Sequence, residues 1–320
     1  MILQWIFRAA MGPPVASCSP ANRRTRPIVP QHLPPMAPRP PRDSSHNNRP
    51  GAARRPRQRP ASRPPAPHTR TTDWSDVADW YDQLVGSEGS EYQRQVVFPG
   101  VLKLLKLQPG EHVLDVACGQ GVLCRIMHER GAIVTGIDAA DPLIRIARKR
   151  SDPAITFLRG DARELTRHPQ LHEASFDAIT CVLAIQNIDP IAPVFAGMAK
   201  LLKPGGRCVI AMMHPAFRVP KAAFWGWDEQ KQVQYRRVDH YLLPRKEPII
   251  THPGKDPRRY TWTFHRPLQS YIKALSHAGL LVDALEEWPS HKQSEGGRAK
   301  AENLARREIP LFLALRAILS

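Results

Sequence analysis

Sulfur chemistry is scarce in this chain of 320 residues. Its five cysteines, Cys18, Cys118, Cys124, Cys181 and Cys208, form no CxxC pair, and none stands at zinc spacing from histidines. A structural zinc site and a disulfide framework are therefore not expected, and no metal is assigned. Three of the five lie in runs that read as buried strand or the turn after one, where a free thiol is a small core hydrophobe in a reducing compartment. Long apolar runs are missing as well. No stretch approaches the roughly 18 residues that a membrane-spanning helix needs, so no membrane partner is expected. The opening MILQWIFRAAMGPPVASC resembles an export signal only in outline: no basic residue precedes its apolar part, Arg8 interrupts it, and Pro13 and Pro14 break it. The expected location is cytoplasmic.

Lysine and acidic residues are nearly absent from one end. Residues 1–72 contain 13 arginines, no lysine, the single acid Asp43 and 16 of the 33 prolines. They carry about +12 of the formal charge of +17, so the high pI belongs to this stretch and the remainder is only mildly basic. Such a composition cannot bury enough apolar surface to offset its ordering entropy. Residues 1–71 are read as a disordered extension and 72–320 as the folded domain. Clustered arginines neutralise phosphates, which leaves a nucleic-acid partner open. Between Arg23 and Arg70, however, no Phe, Trp or Tyr interleaves to stack on bases, and a merely solvated tail is the favoured reading. Nothing in the sequence sets an oligomeric state.

From residue 72 the pattern is regular. DWSDVADWYDQLV has Asp73 as a possible N-cap and apolar residues at helical spacing, and VVFPGVLKLLKL reads as a second helix. Strands then alternate with helices. HVLDVAC, AIVTGID, ITFLRGDA, FDAITCVLAI and RCVIAMM read as buried strands; the helix DPLIRIARKR starts with Asp141 as N-cap and Pro142 at its first position. This alternation demands parallel strands with crossover helices, hence a doubly wound α/β sheet with helices on both faces. Ligands bind such sheets at the carboxyl ends of the strands. Asp115, Asp138 and Asp161 all fall at or near such ends.

The loop LDVACGQG after the first strand lacks the third glycine of a dinucleotide-binding GxGxxG, its place taken by Cys124, and it begins with the carboxylate Asp115. The spacing from Gly119 to Asp138 suits a nicotinamide dinucleotide, but an early negative charge is poorly placed for pyrophosphate. A ligand with a ribose, a cationic centre and no phosphate fits better.

Four motifs in order, VLDVACGQG, GID, RGDA and LLKPGGRCVIAM, resemble the class I S-adenosylmethionine-dependent methyltransferases. WYDQLV is similar to the cofactor-covering helix of small-molecule members related to the quinone-biosynthesis methyltransferases. The resemblance implies a Rossmann-like sheet of about seven strands, mostly parallel with a terminal antiparallel strand. It implies S-adenosylmethionine as cofactor and a small-molecule methyl acceptor. An RNA-modifying enzyme aided by the basic tail, or an NAD(P)-dependent oxidoreductase, are the alternatives. By this resemblance the backbone of Gly119 and Gly121 approaches the methionyl part, and Asp115 sits near its amino group. Asp138 accepts from the ribose hydroxyls, Asp161 from the adenine amine with Ala162 offering its N–H, and Tyr81 closes the lid. The competing reading of each acid is a helix cap or an exposed turn, which four motifs in order disfavour.

Methyl transfer is mainly in-line positioning in a site closed to water, with a base needed only when the acceptor must lose a proton. His214, after the fifth strand, is the candidate base; a histidine before proline can equally bond backbone. Gln186 and Asn187, after the fourth strand, would orient the acceptor or close a turn. Substrate identity is expected in an insertion at about 215–259. Its aromatics and cations, Trp225 and Arg218 among them, suit a flat or anionic molecule, though so long an excursion also needs a small core of its own. The segment PSHKQSEGGRAKAENLARRE is expected to be polar and mobile.

Overall fold

The computed structural model describes residues 74–252 and 256–320. The arginine-rich extension, Cys18 and the proposed Asp73 cap lie outside the described residues. Among those described, no helix is long and apolar enough to cross a membrane.

A single turn of 3₁₀ helix at Ser75–Val77 runs into α1 (Ala78–Val85), and a π-helical turn at Gln93–Val97 runs into α2 (Phe98–Leu105). The alternating part follows as β1 (His112–Val116), α3 (Val122–His128), β2 (Ile133–Asp138), α4 (Asp141–Arg150), β3 (Thr156–Arg159), β4 (Phe176–Val182), α5 (Ala192–Leu201) and β5 (Leu202–Met213). Helix α4 starts one residue earlier than a cap at Asp141 requires: Ala140 is its N-cap, and Asp141 is the first helical residue, paired with Arg145 at 3.5 Å. The turn formers Pro204, Gly205 and Gly206 lie within β5, where the pairing with β4 shifts register between Leu202 and Arg207.

The excursion after β5 consists of two hairpins, β6 (Ala223–Asp228) with β7 (Val233–Val238) and β8 (Arg245–His252) with β9 (Asp256–His265). The chain ends with α6 (Leu268–His277), β10 (Leu280–Trp288), α7 (Ala299–Glu308) and β11 (Phe312–Leu319). Helix α7 falls inside the segment expected to be mobile. Its apolar face is short, with Ala305 buried, and it is tied down by tertiary contacts: Arg298, its N-cap, pairs with Glu229 at 2.9 Å and lies over the Trp227 ring at 4.5 Å.

The main sheet has seven strands in the order β10-β11-β5-β4-β1-β2-β3. Strand β11, last in sequence, runs antiparallel to both neighbours and lies between β5 and β10, so β10 forms that edge. Consecutive strand residues point to opposite faces, and both faces are buried. Leu114 packs with α5 and α6 through Phe195, Met198 and Tyr271, while Val113 packs with α2, α3 and α4 through Leu105, Met127 and Ile144. This two-sided burial explains why the parallel strands read as near-continuous apolar runs. The strand order reverses between β1 and β4, the switch point where such sheets leave a crevice.

Candidate functional site

The loop leaving β1 is tightly wound. Ala117, Gly119 and Gly121 take positive φ of 56°, 57° and 77° within five residues. Asp138, at the end of β2, holds this loop: its Oδ2 accepts from the Gly119 N–H at 2.9 Å and its Oδ1 from the Ala140 N–H at 2.8 Å. The Gly121 N–H is donated to the Cys118 carbonyl at 3.0 Å. A pyrophosphate-binding loop needs such amides free for the ligand; here they are committed to the protein, which argues against a dinucleotide.

Above the loop is a cavity of about 230 Å³. Gly119, Asp138, Asp161 and Ala162 line it at the strand ends, Leu143 and Ile188 supply apolar wall, and Trp74 and Tyr81 cover it from the N-terminal helices. The Tyr81 ring packs edge-on against Trp74 at 5.3 Å, and burial, reinforced by Asp138, pushes the pKa of its hydroxyl up. A Cβ at Gly119 would stand 3.3 Å from the Tyr81 ring, so glycine keeps this approach open. Asp161 is less available than the sequence suggests. It caps the 3₁₀ turn Ala162–Arg167 by accepting from the Arg163 N–H at 2.9 Å, and it pairs with the Arg163 guanidinium at 2.5 Å.

Two other expected cofactor residues do not line this cavity. Gly121 faces the opposite way: a Cβ there would lie 2.7 Å from the Phe157 ring and 3.2 Å from the Ala147 methyl, so its job is to let α3 pack on the sheet. Asp115 lies beneath the loop, 3 % exposed, accepting from the Thr180 hydroxyl at 2.7 Å and the Cys124 thiol at 3.4 Å. Burial, only partly offset by these two bonds, pushes its pKa up to about 6. The folded chain therefore holds this proton more tightly than the unfolded chain. The stability so contributed is complete below about pH 4 and is lost as pH rises through about 6. Asp115→Asn keeps an acceptor for Thr180 and removes the charge. Its stability relative to wild type should rise between about pH 4 and 7 by roughly 2 to 3 kcal/mol, measured by urea unfolding across that range. A difference that stays flat with pH contradicts this assignment.

A second cavity, of about 270 Å³, adjoins the first. Trp74, Tyr81, Leu183 and Asn187 belong to both walls. The remaining wall is largely aliphatic and aromatic, with Leu84 and Val85 from α1, Met213 from β5, Ile249 from β8 and Phe264 from β9. At the junction, the Gln186 Oε1 and Asn187 Oδ1 atoms are buried without a hydrogen-bond partner among the described residues. The Gln186 amide nitrogen donates to the Leu183 carbonyl at 2.8 Å, which leaves its oxygen as the free atom.

His214 reaches neither cavity. It is 4 % exposed; its Nε2 meets Glu287 Oε1 at 2.6 Å, and its Nδ1 accepts from the amides of Ala216 and Phe217 at 3.2 and 3.4 Å. Burial holds its pKa below the usual histidine value, and its bonds make it the brace of the turn leaving β5 rather than a base facing a ligand. Trp225 also lies outside both walls and packs behind Arg218, which does line the second cavity. Sequence reasoning missed Trp74 and Leu183. Trp74 reads as an ordinary apolar helix position, and Leu183 is marked only by being the first residue past β4, where it takes φ 56°.

Residues 114–210 match the model of a family described as a methyltransferase domain. The chain is similar to the ubiquinone biosynthesis O-methyltransferase of Saccharophagus degradans, 37 % identical over 114 residues that cover 34 % of this chain and 45 % of that protein. It is similar also to the demethylmenaquinone methyltransferase of Tropheryma whipplei, 34 % identical over 161 residues that cover 50 % of this chain and 60 % of that protein. The chain thus spans about half the length of these relatives. A solved S-adenosylmethionine-dependent methyltransferase structure from Mesorhizobium loti superposes with a TM-score of 0.55 at 26 % identity, covering 73 % of this chain and 100 % of that one.

Proposed function

We propose that this chain is a class I S-adenosylmethionine-dependent methyltransferase that moves a methyl group to a small organic acceptor held in the second cavity. The observation that carries the reading is the shared wall: a cavity at the strand ends that mixes acidic and apolar residues and a largely apolar one under the hairpins meet at Trp74, Tyr81, Leu183 and Asn187. S-adenosylmethionine, when bound, supplies a methyl group on a sulfonium. The residues present fit it. The Asp138 carboxylate, oriented by two backbone amides, lines the cavity where vicinal hydroxyls would bind. Leu143, Ala162 and Ile188 offer an apolar slot for a flat base, and Gly119 leaves room where a side chain would intrude.

The protein's part in the reaction is to position and to exclude water. Trp74 and Tyr81 close the junction. The unpartnered amide oxygens of Gln186 and Asn187 would accept from a hydroxyl or amine of the acceptor and aim it at the shared wall. Among the residues lining that junction, Tyr81 is the only phenol, and burial keeps it protonated, which suits an orienting group better than a base. The names of the relatives support quinone-like phenols as acceptors, whereas the apolar second wall is a poor fit for an RNA backbone. The four described cysteines are free thiols, in keeping with the cytoplasm. The test is to incubate the full chain with methyl-labelled S-adenosylmethionine and an extract of small metabolites. A labelled product one methyl group heavier than its precursor is expected; no labelled metabolite, with label recovered only when total RNA is supplied in a parallel incubation, would sink the proposal.

A further inference from the structure

Arg218 is a cation that folding alone does not explain. It is 6 % exposed and lines the second cavity, yet its Nε and Nη1 atoms have no hydrogen-bond partner among the described residues. Its guanidinium carbon lies 5.4 Å from the centroid of Trp225. Desolvation pulls its pKa down to about 10, with no carboxylate among the described residues near enough to oppose it. Burying an unpaired guanidinium is strongly unfavourable.

The other cations around this cavity are already matched. Lys221 pairs with Glu247 at 2.7 Å, Arg245 pairs with the same carboxylate at 2.7 Å, and Arg266 pairs with Asp189 at 2.6 Å. Arg236 lies 5.0 Å from the Trp225 centroid and donates to the Phe217 carbonyl at 3.0 Å, adding positive charge behind Arg218 without facing the cavity. Arg218 is also held in place by its backbone, since its N–H donates to the His214 carbonyl at 2.8 Å and His214 is itself braced by Glu287. The arrangement is a preformed cation at one point of an otherwise apolar wall.

We infer that Arg218 pairs with an oxyanion of the acceptor, so that the second cavity takes an amphipathic organic acid: one carboxylate or phosphate ester on an apolar body. The body packs against Leu84, Val85, Met213 and Phe264 while the anion reaches the guanidinium, which offers a planar two-point donor set to either group. That this molecule is the methyl acceptor rests on the reading above; that the cavity binds such an acid does not.

Three probes with one apolar body separate the possibilities: 2-naphthoate, 2-naphthyl phosphate and the neutral methyl 2-naphthoate. Each is titrated calorimetrically into the full chain and into Arg218→Met, which replaces the cation by an apolar side chain. Wild type is expected to bind at least one of the two acids tenfold or more tightly than the ester, and the tighter acid identifies the anion. In R218M that preference should vanish or reverse, and its melting temperature without ligand should rise, because a buried unpaired charge is gone. Equal binding of acid and ester by wild type overturns the proposal, as does failure of both acids to bind or an acid preference that survives in R218M. A fall in the melting temperature of R218M would mark Arg218 as a structural residue and also overturn it; the wild-type comparison decides even if that variant does not fold. Titration with S-adenosylhomocysteine reads the other cavity, so an acid preference without adenosylhomocysteine binding would leave this site standing and remove the methyltransferase reading.

Discussion

Asp138→Ala should weaken S-adenosylhomocysteine binding by ten- to a hundredfold, about 1.4 to 3 kcal/mol. The size follows from two losses at one carboxylate. The ribose hydroxyls of the ligand lose their acceptor, and the amides of Gly119 and Ala140, now held at 2.9 and 2.8 Å, lose theirs in the free protein. The second loss loosens the loop that forms the cavity floor, so binding must also supply its ordering. Asp138→Asn keeps one acceptor oxygen but sets an amide N–H against one of the two backbone donors, and an intermediate loss is expected. Calorimetry that finds D138A unimpaired would remove Asp138 from the site.

Gly121→Ala should destabilise the fold by about 2 to 4 kcal/mol in urea unfolding, combining a left-handed φ on a residue with a side chain and overpacking of the core. At φ 77° the new methyl would stand 2.7 Å from Phe157, a ring 4 % exposed that also closes on Gly136, so it has little room to retreat. Gly119→Ala should behave differently. Its φ is equally left-handed, 57°, but its methyl would meet Tyr81 at 3.3 Å across the cavity, so the stability loss should be about 1 kcal/mol and the main effect a loss of cofactor affinity. The two glycines of one motif thus serve different ends. Equal stability losses in the two variants would contradict this division.

Much of the scaffold was legible because its signal is local and repeated. The runs HVLDV and IVTGID are apolar on both faces of a doubly covered sheet, and turns such as Pro109–Gly110 punctuate them. Asp138, Asp161, Gly119 and Ala162 could be placed on one rim because that rim is set by strand ends alone. What escaped depends on contacts distant in sequence. Helix α7 has only the short stripe Ala301, Leu304 and Ala305 to announce it and is held through Glu229 and Trp227 of the first hairpin. The direction in which Gly121 faces is settled by Phe157, and the fate of His214 by Glu287, 73 residues further on. The aromatics and cations of the insertion pointed to a ligand, but only the pairing of Lys221, Arg245 and Arg266 reveals Arg218 as the cation left over.

The cavity proposed to hold a ribose has loop amides already bonded to the protein, which suits a cofactor without a pyrophosphate. Parallel calorimetric titrations of the full chain with S-adenosylhomocysteine and with NADH test this most directly. Saturable binding of S-adenosylhomocysteine to one site per chain, with no heat from NADH, is the predicted result. Binding of NADH with none of S-adenosylhomocysteine would contradict it.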